Sequence, residues 1–455
     1  MSDNNGGEKK LNLITATFLA VGTIIGSGIL GTLPNAVSLA GSKTFICIIV
    51  AAINVFFSNF VMMIICGVIP ANAGPYMYMT RLVHPVMTIF EMVSRLLQFF
   101  LLALMGTIFA NYFSTLFPAV NGKVAAIVVL LLFGVLNVFG IDAAAKVGNV
   151  LVIMLILAFM LYSFYGFTVD TSTIPNYVPE SSKPLTVVLV GTVSALFVTT
   201  LGGGAIVGEV AESMENPEKN IIRAFVLSIV IVVIVYSIMS FATARAAGQE
   251  QFDTLSTLAK MILPTPVFYF FMIGGAMCAI TSTINGLIIQ TSFYLNKFAE
   301  DKVLPGIFDK KNAQGVRVLN VVVTTLAPIF ILMFNMNVFT LLAVSSVLIL
   351  FTTFIKLIPC LLIEKKYPNA YKKAYVHPKF AFMCLFAAIA AGLNLYSGVS
   401  TVISTPGPIW IILLCLLVVF AVYFFVRRAY LKGQGVDLNE ILSTPPQSWI
   451  DLENS

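Results

Sequence analysis

Hydrophobic residues in this chain gather into runs separated by short polar stretches, and each run is near the length, about 20 residues, that carries a helix across a bilayer. Such runs lie near residues 11–40, 44–69, 83–117, 124–140, 146–168 and 185–211. Six more lie near 221–245, 266–296, 317–335, 337–362, 380–402 and 406–426. The pattern predicts an all-α membrane protein of twelve transmembrane helices, and an even number leaves both termini on one side. Ten-residue segments of strict alternation are absent, which argues against a membrane barrel.

Two of these runs are interrupted in the middle. The first, Leu11 to Ala40, has only Asn12 and Asn35 as strongly polar side chains, yet it contains Thr23-Ile24-Ile25-Gly26-Ser27-Gly28 and then Pro34. Gly costs a helix about 1 kcal/mol relative to Ala and Pro about 3. A break at this depth frees backbone N–H and C=O groups that hydrocarbon cannot satisfy, so it should line a cavity enclosed by protein. The leading amides of the second half-helix favour an anion such as a carboxylate. The sixth run repeats the anomaly with Thr199-Thr200-Leu201-Gly202-Gly203-Gly204, followed by Gly208, Glu209 and Glu212. Close packing of small residues would explain part of this, but three consecutive glycines exceed that need. Two interrupted segments five spans apart are the expected signature of two inverted five-helix repeats, with substrate bound between the breaks and two extra helices outside. The expected division is a cytoplasmic tail at 1–10, repeats at 11–168 and 185–362, the extra pair at 380–426, and a second cytoplasmic tail at 427–455.

Composition supports the membrane reading: 10% of residues are charged, against about 25% in soluble chains. Of the 26 Lys and Arg, 19 fall on the side of the termini, five on the other, and Arg95 and Lys356 within spans. The positive-inside rule then places both termini in the cytoplasm of a multi-pass cell-membrane protein. This distribution accounts for the net charge of +6 without a nucleic-acid partner. The six cysteines lie in apolar segments without metal-type spacing and read as small buried hydrophobes. No metal and no cofactor are therefore expected. No cleavable signal peptide is expected either, because Met1 to Lys10 is polar and the following run is too long. His84 and His377, the only histidines, both precede prolines near predicted loops, so a His-based intramembrane enzyme is hard to assemble. Paired breaks also predict occlusion rather than a continuous pore.

With these residues in view, the chain resembles the amino acid–polyamine–organocation transporter superfamily. The resemblance spans most of the first ten runs. It is carried by Ile25-Gly26-Ser27-Gly28-Ile29 with Pro34, by Pro70-Ala71-Asn72-Ala73-Gly74-Pro75-Tyr76-Met77-Tyr78, and by Asn137-Val138-Phe139-Gly140. Val210-Ala211-Glu212-Ser213-Met214-Glu215-Asn216-Pro217-Glu218-Lys219-Asn220 and Ala299-Glu300-Asp301-Lys302-Val303-Leu304-Pro305 continue it. Each piece alone is weak; their order and spacing together are specific. The resemblance implies a central site between the two broken spans and transport by alternating access, by a monomer or homodimer surrounded by lipid. It further implies that amides at Gly26, Ser27 and Gly28 hold a substrate carboxylate. Carbonyls at Ile24, Thr199 and Gly202, beside Thr200, would hold its α-ammonium. Arginine/agmatine exchangers of this family carry a gating tryptophan where this chain has Thr199.

Side-chain selectivity is expected from polar residues deep in other spans. Ser94, Gln98 and Leu102 share a face of the third, Thr281, Ser282, Thr283 and Asn285 lie in the eighth, and Ser345 and Ser346 in the tenth. Ser and Thr hydroxyls often bond their own helix; an amide such as Gln98 or Asn285 is harder to leave alone in hydrocarbon. Glu91 and Arg95 are spaced for an i,i+4 ion pair, Glu212 matches a family position near the cytoplasmic gate, and Glu209 is the proton-coupling candidate. Some proton-coupled relatives carry a lysine in span five where this chain has Leu155. A sodium site would need hydroxyls of Thr281 to Thr283 facing span one. Exchange without a bound ion is the simplest reading. No carboxylate stands at pocket depth in spans three, eight or ten, which favours a neutral amino acid as the small-molecule substrate. Exchange of an amino acid for its decarboxylation product is the alternative.

Overall fold

The computed structural model describes residues 10–26, 28–174, 177–179, 184–248, 252, 254–334, 341, 344, 356–404 and 407–455. In chain order the helices are α1 (Leu13–Ile24), α2 (Gly28–Ala40), α3 (Thr44–Val68), α4 (Gly74–Tyr78), α5 (Met87–Leu116), α6 (Gly122–Val138) and α7 (Ile141–Thr168). They continue as α8 (Val187–Leu201), α9 (Ile206–Glu209), α10 (Pro217–Ala247), α11 (Leu255–Ile262), α12 (Thr265–Phe270), α13 (Cys278–Glu300) and α14 (Val318–Met333). The last are α15 (Leu357–Lys366), α16 (Pro368–Lys373), α17 (Phe380–Ser404), α18 (Gly407–Gly433), α19 (Leu438–Ser443) and α20 (Gln447–Asn454). No β-strand occurs among the described residues, only the isolated bridges Leu11–Met214 and Asn72–Val210. Among the described residues six helical stretches are long and apolar enough to cross a membrane, and α1, α6, α14 and the first half of α17 are shorter apolar helices. Helices occupy each predicted interval apart from 337–362, most of which lies outside the described residues.

The sequence explains why these helices need lipid on one face and protein on the other. On α7, Val152, Leu155 and Phe159 are buried while Val150, Ile153 and Leu157 are exposed. Both faces are apolar, so the helix is stable only where its outer face meets hydrocarbon. α18 is peripheral, with Ile411, Leu414, Val418 and Val422 all exposed. α1 is central, packed against α7, α10 and α13.

The end of the bundle that carries the termini is tied together by polar contacts. The Leu11 N–H donates to the Ser213 carbonyl at 2.8 Å, and the Glu215 N–H returns to the Leu11 carbonyl at 2.9 Å. Ala73, at a left-handed φ of 53°, turns its N–H onto the Glu209 carbonyl at 2.8 Å. Asp301 pairs with Arg81 at 2.7 Å and accepts the Tyr76 hydroxyl at 2.6 Å. Burial, reinforced by Asp301, holds the Tyr76 phenol well above its ordinary range, so it stays a donor.

The C-terminal residues also dock on this end. Trp449 is fully buried, stacks on Tyr78 with ring centres 5.6 Å apart, and donates its indole N–H to the Pro70 carbonyl at 3.2 Å. Glu453 accepts the N–H groups of Asn369 and Ala370, capping the start of α16. Truncating Trp449 to Ala is therefore expected to lower stability by about 3–5 kcal/mol. Leu452→Ala, at a half-exposed position on the same helix, should stay near the ±0.5 kcal/mol of surface changes. Unfolding in detergent followed by circular dichroism checks both.

Candidate functional site

The first interruption is a short unwound stretch. The last α1-type bond runs from the Ile25 N–H to the Val21 carbonyl at 2.8 Å, after which the Gly26 N–H folds back on the Ile24 carbonyl at 2.9 Å. Ile25 at φ −80°, ψ 80° makes that three-residue turn. A new helix, α2, begins at Gly28, so its leading N–H groups have no partner within it. Upstream, the Gly22 carbonyl loses the amide that a continuous helix would supply. Hydroxyls of Ser282 and Thr283 on α13 reach it instead, at 2.9 and 3.1 Å.

The second interruption lies against the first. α8 ends at Leu201, Gly202–Ala205 forms a tighter 3₁₀ turn, and α9 follows at a 50° bend. A Cβ placed on Gly203 would stand 2.3 Å from the Thr23 carbonyl oxygen and 2.8 Å from the Ile24 nitrogen. One on Gly28 would stand 2.4 Å from Thr200 Cγ2, and one on Gly26 2.9 Å from Thr283 Oγ1. At Gly203 backbone therefore meets backbone, and at Gly28 and Gly26 a threonine side chain lies where their own would be, because these residues lack side chains. Gly202 differs, since nothing lies within 4 Å of where its Cβ would be.

Around this contact the predicted residues divide. Ile24, Gly26, Gly28, Thr200, Gly202 and Thr283 all lie at or beside the breaks; the Thr200 hydroxyl bonds its own helix at Phe197, leaving its methyl toward Gly28. Ser27, Ser345 and Ser346 lie outside the described residues, and of Thr199 the structure describes the backbone only. Asn285 faces away from the breaks. Its amide donates to the Ala144 carbonyl at 2.8 Å and its oxygen accepts from Asn137 at 3.1 Å, which joins α13 to α6 and α7. Thr281 bonds its own helix at Cys278. Leu155, in α7, is fully buried.

Gln98 belongs to a polar cluster just below the second break. Its oxygen accepts from Arg95 and its amide donates to Gln290, whose own amide donates to Glu209 at 2.6 Å. Arg95 lies 3.9 Å from Glu91 and 4.0 Å from Glu209, and Lys356 lies 3.5 Å from Glu209. The Arg95 guanidinium also covers the Tyr294 ring, 3.7 Å from its centre. Glu91, Arg95, Gln98 and Glu209 are each at most 4% exposed. Glu212 is separate and more exposed, pairing with Lys297 at 3.1 Å and accepting the Asn72 N–H at 3.3 Å. Gln290 and Lys356 are not among the residues expected at the site from the sequence. The available signal was charge: Lys356 within a predicted span requires a nearby anion, and Glu209 is unpaired along its own helix.

The family profile described as amino acid permease matches residues 11–429. An uncharacterized protein of Methanocaldococcus jannaschii is 27% identical over 72% of this chain and 77% of its own. The inner membrane transport protein YbaT of Escherichia coli is 21% identical over 68% and 74%, respectively. The serine/threonine exchanger SteT of Bacillus subtilis is 22% identical over 85% and 90%.

The geometry separates neighbouring glycines. Gly203→Ala should prevent the two breaks from meeting, with loss of folded protein on size-exclusion chromatography. Gly202→Ala should fold as the parent does. Equal behaviour of the two variants would contradict the contact of Gly203 with Thr23 and Ile24.

Proposed function

This chain belongs to the amino acid permease family, and from that premise we propose that it exchanges a neutral amino acid, or takes one up with a proton, by alternating access. It is a multi-pass membrane transporter and not an enzyme. The observation that carries the finer reading is the contact of the two breaks, with Gly203 against Thr23 and Ile24. A zwitterion presents one anion and one cation, and two unwound segments offer main-chain groups of both kinds. The leading amides of α2, at Ser27 and Gly28 beside Gly26, take the carboxylate. Carbonyls at Ile24, Thr199 and Gly202 take the ammonium, and the space beside Gly202 receives the rest of the substrate. Thr200, Thr283 and Ser345 shape that space; Gln98 and Asn285 brace its walls.

The same reading includes twelve spans, inverted repeats at 11–168 and 185–362, an extra pair of helices, and both termini in the cytoplasm of the cell membrane. Similarity to a serine/threonine exchanger favours exchange of a small neutral amino acid over amine exchange. In proton-linked uptake, Glu209 is the group that accepts the proton. A second reading, sodium coupling, is favoured by four oxygens on α1 and α13. Ser282 and Thr283 hydroxyls each lie within hydrogen-bond distance of both the Gly22 and the Ala279 carbonyls, and hard cations take oxygen ligands.

Counterflow in liposomes decides among these modes. Labelled serine or another small neutral amino acid should enter only vesicles preloaded with unlabelled substrate if the protein exchanges. Uptake into empty vesicles driven by a proton gradient, or by a sodium gradient, would select the other modes. Gly28→Leu should abolish entry while leaving membrane insertion intact; undiminished entry would refute the proposed carboxylate site.

A further inference from the structure

We propose that Glu91, Arg95, Glu209 and Lys356 form a charge-balanced latch that closes the termini end of the site, and that the closed state requires the balance rather than any one member. The proposal rests on alternating access and holds for exchange and sodium-linked cycles alike.

The four side chains come from α5, α9 and the residue preceding α15, and together they carry two positive and two negative charges. They join these elements beneath the second break, with Gln290 of α13 bonded to Glu209 between them. Burying an ion is costly by several kcal/mol, and the cost is offset only by partners of opposite sign. Here the partnering is loose. Arg95 stands 3.9 and 4.0 Å from its two carboxylates, Lys356 stands 3.5 Å from Glu209, and one Glu91 oxygen is buried with no hydrogen-bond partner. The Arg95 Nε is likewise buried without an acceptor. No bidentate pair dominates, so net neutrality contributes more than any one bond. Neighbouring Tyr294, Cys66, Gln98, Gln290 and Ser94 carry no formal charge and do not alter the sum.

Separation of α9 from α5 and α13 would break every link to Glu209 and admit water to all four groups. Closure reverses this only if the charges again cancel as they leave water. A loose, neutral cluster suits a gate, because it holds the elements together without a tight pair that must be broken in each cycle.

Cys66 provides a native reporter. It is fully buried on α3, with its thiol 3.4 Å from the Gly208 carbonyl, one residue from Glu209. A chain keeping only Cys66, with the other five cysteines replaced, is reconstituted and labelled with a membrane-permeant maleimide, and uptake is measured in parallel. Glu209→Gln alone and Lys356→Met alone should each speed labelling by about tenfold or more, since each strands a buried charge. Combined, they should return labelling to near the parent's rate. Glu91→Gln with Lys356→Met should do the same, although the nearest ion-pair partner of Glu91 is Arg95. Doubles that label as fast as the singles, or singles that label like the parent, would overturn the latch. Absence of uptake in the Cys66-only parent would instead count against the transport reading, leaving the labelling rates to judge the latch.

Discussion

Hydrocarbon offers no hydrogen bonds, and that constraint governs where this chain can leave the helix. Each residue of unwound backbone exposes an N–H and a C=O whose burial without a partner costs several kcal/mol. The first break meets this cost in three ways. The Gly26 N–H closes a tight turn on Ile24, the Gly22 carbonyl takes hydroxyls from Ser282 and Thr283, and the Thr23 carbonyl lies against Gly203 of the second break. The two breaks therefore depend on each other. The contact is possible only because Gly203 and Gly28 present no side chain to Thr23 and Thr200.

The same low dielectric explains how charges are arranged below the breaks. An isolated Glu209 or Lys356 in this environment would be prohibitive, yet together with Glu91 and Arg95 they sum to zero. Farther toward the termini, water is closer and the pairs change character. Lys297 shares Glu212 and Glu300, Arg317 shares Glu300 and Asp309, and the carboxylates there are a third to a half exposed. Exposed pairs of this kind contribute little to stability. They lie near the surface, whereas Glu91, Arg95 and Glu209 beneath the breaks are buried.

The apolar runs and their two interruptions were legible in the sequence because they are local properties. Length and hydropathy mark a membrane helix wherever it sits, and Gly26-Ser27-Gly28 or Gly202-Gly203-Gly204 marks a break without reference to neighbours. An anion requirement near Lys356 was legible too, but not its satisfaction by Glu209, which lies 147 positions away along the chain. Gln98 and Asn285 both read as buried amides in need of partners. That is what they are, but the partners, Arg95 and Gln290 for one and Asn137 and Ala144 for the other, depend on which way each helix is rotated.

The sequence by itself thus determined a helical membrane protein, where its helices break, and its membership of a transporter family, since each follows from periodicity, glycine content and ordered motifs. Tertiary structure alone decided that Gly203, rather than Gly202, carries the close approach, and that the C-terminal segment bearing Trp449 docks under Tyr78. It also decided that four charges from distant segments cancel. The physical reason is shared: these outcomes depend on helix rotation and on the distance between segments, and neither is encoded in the spacing of residues along any one helix.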